Sequence, residues 1–388
     1  MLMQMRAPLI VTLVVLGIMY AAPVPSADLP TEKPAVASLM PDNGHRLYLV
    51  ALDFQEEVHV IDGDSMRILG KFNDGTFGSF NVSADRKTLY ASATYFSRGD
   101  HGTTTDVVEM VDAATLNYTG EVVLPPKRAK SFAEAAYLQE SAGASYLFVQ
   151  NATPQSSVTI IDLALKQVLT ELPTSGCFGI YPSPTKAARF ASLCGDGAVV
   201  TVDFDAAGKE TGRERSAVLF DPINDPLFIS GVPAGDRMIF MSFLGTVHEI
   251  DFSGAKAVER VHWSVVDATA AKEGWRPGGF QPIAYNHPTG QLYVAMHPHG
   301  VEGSHYDAAE EIWKLDVAKR AALARVPSKG ILYIAVSKDD HPILFAESEP
   351  SDANKFTRLV KFDGITMTRL DTPKMTLSLD NGGPLNVE

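Results

Sequence analysis

The sequence predicts an all-β chain folded as a seven-bladed β-propeller, and three observations predict it. A β-branched apolar run ending in Asp, then a turn and another strand, occurs seven times, at Asp62, Asp112, Asp162, Asp203, Asp251, Asp316 and Asp363. The intervals between these aspartates are 50, 50, 41, 48, 65 and 47 residues. Each copy follows a second, more apolar run, such as "RLYLVAL" (46–52), "YLFVQN" (146–151) or "QLYVAMH" (291–297). A period of about 40–50 residues with about four short strands per unit is a propeller pattern. One four-stranded sheet cannot bury both of its faces. Packed radially, each sheet covers its neighbours.

The N-terminus comes first. Arg6 precedes an apolar run from Ala7 to Ala22, and the small residues Ser26 and Ala27 follow before the chain turns polar. This is a secretory signal pattern, expected to be cut after Ser26 or Ala27. The run is short for a membrane span, which needs about 20 residues; an uncleaved anchor is the other reading. The expectation is therefore residues 1–27 as signal peptide and 28–388 as a single propeller domain. That domain would be exported to the periplasm and not attached to a membrane after cleavage.

Composition fits a large packed core. The chain has 388 residues, 45% hydrophobic and 20% charged, with a formal net charge of −13. Nucleic acid is an unsuitable partner, because phosphate binding needs a clustered basic surface.

Within the repeats, the aspartates read as turn residues. Each ends a strand and offers its carboxylate to the backbone N–H groups that follow. Between the third and fourth aspartates lies a Cys-containing segment, "CFGIYPSPTKAARFASLC". The chain has two cysteines, Cys177 and Cys194. An even pair in an exported protein reads as one disulfide, and the Pro-Ser-Pro turn allows the segment to fold back on itself. No CxxC or CxxCH occurs.

Propellers carry function in loops at one face, so extra length between repeats locates candidate sites. One long loop is "YFSRGDHGTTTD" (95–106), with Arg98. The longest interval, Asp251 to Asp316, holds "GWRPGGFQPIAYNHPTGQLYVAMHPHGVEGSH". Trp275 offers a stacking face there and Arg276 a bidentate donor, a pair suited to anchoring an interface. His297, His299, Glu302 and His305 have spacing open to zinc but match no common ligand pattern. An interface or turn role is preferred, and no metal site is expected. Ser304 beside His305 lacks a G-x-S-x-G context, and no phosphate-binding or dinucleotide fingerprint occurs. "GDG" (195–197) reads as a hairpin turn. The residues alone thus give an exported propeller with elaborated loops and no self-sufficient catalytic set.

The stretch "EGWRPGGFQPIAYNHPTGQLYVAMHPHGVEGSH…EEIW" resembles the heavy, propeller subunit of the quinoprotein amine dehydrogenases, the methylamine and aralkylamine dehydrogenases. "HVIDGDSMRILGKFNDG" (59–75), "ASATYFSRGDHGTTTDVVEMVDAATL" (91–116) and the cysteine segment carry the same resemblance. "MHPHGVEGSH" followed by "EIW" is closer to the aralkylamine branch. The resemblance implies that this chain has no catalytic residue and no redox cofactor of its own. Tryptophan tryptophylquinone would belong to a cysteine-rich light subunit, in a heterotetramer of two heavy and two light chains. The complex would oxidise a primary amine to an aldehyde and ammonia and pass electrons to a blue copper protein of azurin or amicyanin type. Phe54 would line the substrate entrance. Arg98, Trp275, Arg276, Gly278, Gly279, Phe280, His297 and His305 would be interface candidates. Two other readings share the fold: a stand-alone lactonase-like hydrolase, which needs a polar and metal-bearing centre, and a protein-binding module.

Overall fold

The computed structural model describes residues 45–50, 57–131, 134–349, 357–370 and 383–387. The signal segment (1–27) and Phe54 lie outside the described residues. Those described belong to one compact unit. They are almost wholly strand, with one five-residue helix, Ala268–Lys272, and three short 3-10 turns.

The strands pair antiparallel as meanders, and burial follows strand order. Arg46–Val50 (RLYLV) is buried at every position, and Thr88–Phe96 (TLYASATYF) at six consecutive ones. The outer strand Val258–Ser264 (VERVHWS) instead alternates between exposed and half-buried. An inner strand has a neighbouring blade on each face and needs apolar side chains on both. An outer strand reaches solvent. Aromatic pairs join successive blades, as in Tyr48–Phe80 at 5.1 Å and Phe148–Phe190 at 5.5 Å between ring centroids.

The ring is closed by the C-terminus. Leu385–Val387 is the inner strand of the first sheet and pairs with Arg46–Val50, Leu47 facing Val387 and Leu49 facing Leu385. Strand pairing thereby ties the two ends of the described chain together.

The expected set of seven separate four-stranded blades is corrected. Among the described residues, five four-stranded sheets stand as separate blades, and the remaining strands form one eight-stranded sheet. The cause is the strand Ala321–Val336, 16 residues long. Its first part pairs with Ala309–Asp316 and its second with Ile343–Ser348. Pro327 and Gly330 do not interrupt it, because Ala309 reaches across to pair with Ile331.

The meanders give the molecule two unlike faces. On one lie the Asp turns. Six of the seven aspartates accept backbone N–H groups two or three residues on, including Asp64 and Ser65 on Asp62, Thr115 on Asp112 and Thr366 on Asp363. Asp203 differs. It binds the Arg189 guanidinium at 2.6 and 2.8 Å, and Asp205 caps that turn instead, accepting from Ala207 and Lys209. The opposite face, the loop face, gathers the connectors and the long loops. The disulfide lies at that end of its blade: Cys177 and Cys194 are directly paired across adjacent strands and bonded through sulfur.

Candidate functional site

The 265–308 segment builds the loop face from inside outward. Trp275 is only 8% exposed and packs in the core with Trp313 and Met296. Its ring centroid lies 5.4 Å from that of Trp313. The Arg325 guanidinium carbon sits 4.5 Å from the Trp275 ring and 4.2 Å from the Trp313 ring, a cation–π clamp. Both indole N–H groups donate to carboxylates, Trp275 to Glu273 and Trp313 to Glu311, each at 2.7 Å. Arg325 Nε also binds Glu311 at 2.7 Å. The Arg325 guanidinium thus lies against both tryptophan rings. Trp275 is a packing residue and not an exposed anchor.

The glycines of "GWRPGG" permit close backbone approach. A Cβ on Gly278 would lie 2.5 Å from both the Asp307 carbonyl oxygen and the His297 ring. Gly279 has φ +98°, and a Cβ there would lie 2.6 Å from the Leu332 carbonyl oxygen. Arg276 donates to the Val301 carbonyl at 2.9 Å, which ties this segment to the 298–308 loop.

Phe280 begins an aromatic stack. It lies 5.6 Å from Tyr333 below and 5.0 Å from Tyr306 above, near parallel to both. His305 stacks on Phe243 at 4.0 Å, and burial lowers its pKa. His297 is buried, its Nδ1 against the Pro298 carbonyl at 3.1 Å. Arg98 is exposed at the tip of the 95–106 loop. Among the described residues no three His, Cys, Asp or Glu side chains converge as metal ligands, and His297, His299, Glu302 and His305 form no such set.

Large apolar side chains lie open on this face. Ile223, Val218, Val301, Tyr306, Phe77 and Leu244 are all at least 41% exposed. Each sits in a loop or at a strand end of the loop face. None was singled out from the sequence, because isolated apolar residues in loops carry no periodic signal.

A cavity of about 540 Å³ runs along the propeller axis between the inner strands. It reaches from Glu134, Ser230 and Phe280 at the loop face to Ala84, Ser183 and Lys338 at the turn face. Tyr181 and Tyr333 form part of its wall. Burial pushes the Glu134 carboxyl up to about 7, opposed in part by a hydrogen bond from Ser230 at 2.9 Å. Nothing in "AKSFAEAAYLQE" marks Glu134 as special. Its place just before an inner strand is the only sequence signal that points toward the axis.

Comparison with known proteins agrees with this architecture. The pattern of the methylamine dehydrogenase heavy chain (MADH) family matches residues 44–368. The methylamine dehydrogenase heavy chain of Methylobacillus flagellatus is 24% identical over 330 residues, covering 84% of this chain and 80% of that one. That of Paracoccus versutus is 28% identical over 337 residues, covering 82% and 75%. Among solved structures, the dihydro-heme d1 dehydrogenase NirN in complex with DHE shares the fold. Its TM-score is 0.54 at 15% identity, covering 91% of this chain and 77% of that one. With the family pattern spanning most of the sequence, the chain belongs to the methylamine dehydrogenase heavy chain family.

Proposed function

We propose that this chain is the heavy subunit of a periplasmic quinoprotein amine dehydrogenase acting on aralkylamines. The observation that carries the reading is family membership over residues 44–368. The open apolar side chains on the loop face support it, because such a surface is suited to a partner subunit.

The primary amine is oxidised to an aldehyde and ammonia, water supplying the oxygen, two protons leaving to solvent and two electrons leaving one at a time to a blue copper protein of azurin or amicyanin type. Tryptophan tryptophylquinone on the light subunit supplies the electron sink for that oxidation. This chain's part is to dock the light subunit, exclude water and shape the approach. Tyr306, Val301 and Ile223 supply apolar contact. The Phe280 stack holds Tyr306 in place from below. Phe54, outside the described residues, is assigned to the substrate entrance. Residues 1–27 direct export and are then removed.

The test is affinity purification from native periplasm, an absorbance spectrum and amine-dependent dye reduction. A small cysteine-rich partner, quinone absorbance and faster turnover of phenethylamine than methylamine are expected. The reverse rate order favours the second reading, a methylamine dehydrogenase, which the names of the relatives support. A lone, colourless, inactive protein overturns both.

A further inference from the structure

The axial cavity contains an unusual carboxylate. Three ionisable lining residues near the turn face already have partners. Glu140 accepts from the Ala84 N–H at 2.7 Å and the Tyr90 hydroxyl at 3.4 Å, Arg237 binds Glu249 at 2.5 Å, and Lys338 is also partnered. Glu134, at the loop-face end, accepts only the Ser230 hydroxyl, and among the described residues no Lys, Arg or His pairs with it. Its remaining surface faces the cavity. The groups around it are Tyr137, Tyr181 and Tyr333, which feel its charge, and the Phe280 ring.

A carboxylate so placed is half-buried and has gained no cation. We infer that the axial cavity binds a small organic ammonium ion, its N–H groups donating to Glu134 and its apolar part lying against Phe280 and Tyr333. The volume fits a small molecule, since ligand pockets span roughly 300–1,000 Å³. Aromatic faces favour a cation by their quadrupole. A metal ion fits less well, because no second and third ligand converge there among the described residues. The binding needs only this chain and does not rest on the presence of a light subunit.

Isothermal titration of the full chain with phenethylammonium, beside the neutral isostere 2-phenylethanol, tests it. Saturable one-to-one binding of the amine is expected, with the alcohol at least about tenfold weaker. Glu134→Gln should weaken the amine at least about tenfold, the loss of one charge-assisted hydrogen bond in a half-buried site. Equal affinity for amine and alcohol overturns the inference, and that arm needs no variant to fold. Undiminished amine binding by Glu134→Gln also overturns it, since it would mean adventitious binding to the acidic surface. So does absence of binding at millimolar amine. An amine dehydrogenase complex that turns over normally without this binding leaves the proposed function standing and removes only the cavity site.

Discussion

The two faces of the propeller use the ends of the same strands in opposite ways. On the turn face six of the seven aspartates are satisfied by their own turns: Asp112 holds the N–H groups of Ala114 and Thr115 and the Thr115 hydroxyl. On the loop face the contacts are distant in sequence. Arg325 is clamped by Trp275, fifty residues before it, and Gln281 donates to Leu385 at 2.9 Å. Local turns can be rebuilt one at a time. The loop face stands or falls with the global fold, and that holds its open apolar side chains in a fixed arrangement.

Two aromatic residues on that face sharpen the contrast. Trp275 is 8% exposed and Tyr306 is 53% exposed. Trp275→Ala should cost about 3–5 kcal/mol, because it empties a core site and releases Arg325 from its clamp. Tyr306→Ala should cost about 1 kcal/mol or less, the value of its ring contacts. If the loop face docks a light subunit, Tyr306→Ala should nonetheless weaken co-purification about tenfold. Denaturant unfolding and pull-down, run on both variants, separate the roles. Equal stability of the two would break the distinction between packing and docking.

Glycine makes the same comparison at the level of the backbone. Gly279 and Gly303 both have positive φ, but a Cβ on Gly279 meets the Leu332 backbone and one on Gly303 meets nothing within 4 Å. Gly279→Ala should cost about 3 kcal/mol, left-handed strain plus a clash that backbone cannot relieve. Gly303→Ala should cost about 1 kcal/mol, the strain alone. Similar losses at the two sites would show that the 276–280 segment yields more easily than its contacts suggest.

What was legible in the sequence follows the same division. The Asp turns could be read because their partners lie within three residues, and the cysteine pair because a Pro-Ser-Pro turn joins two strands of one hairpin. Asp203 broke the pattern because Arg189, paired across the sheet, competes for its carboxylate. The eight-stranded sheet was not foreseen, because only cross-strand pairing carries the strand 321–336 through Pro327 and Gly330. Trp275 looked like a surface anchor because Arg325 and Trp313, which bury it, belong to later strands. The signal that would have found Glu134 is three-dimensional, a connector entering the axis.

Glu347 extends the comparison to pH. It is 1% exposed, neither carboxylate oxygen has a hydrogen-bond partner, and burial holds its pKa well above the ordinary value. The folded state therefore keeps a proton that the unfolded chain releases above about pH 4.3. This group's contribution is full below that value and is lost as pH rises toward its folded pKa. Glu347→Gln should flatten the fall in stability with pH by up to about 1.4 kcal/mol per pH unit in that window. Unfolding midpoints from pH 5 to 8 check it. A slope unchanged by the substitution would mean that Glu347 is ionised and solvated in the fold.

The smallest effect belongs to the turn face. Five Asp turns place a non-glycine residue at left-handed φ four positions after the aspartate: Met66, Leu116, Lys166, Arg320 and Met367, with φ from 52° to 58°. Each carries a steric cost that the local hydrogen bonds offset. Lys166 and Arg320 are exposed, so their side chains contribute little packing in return. Lys166→Gly should raise stability by about 0.5–1 kcal/mol, the strain relieved less the extra entropy of glycine in the unfolded chain. Arg320→Gly should do the same. The turns are self-contained, so the two gains should add within about 0.5 kcal/mol. A double variant clearly short of the sum would show that the turn face is coupled through the ring after all, as the loop face is.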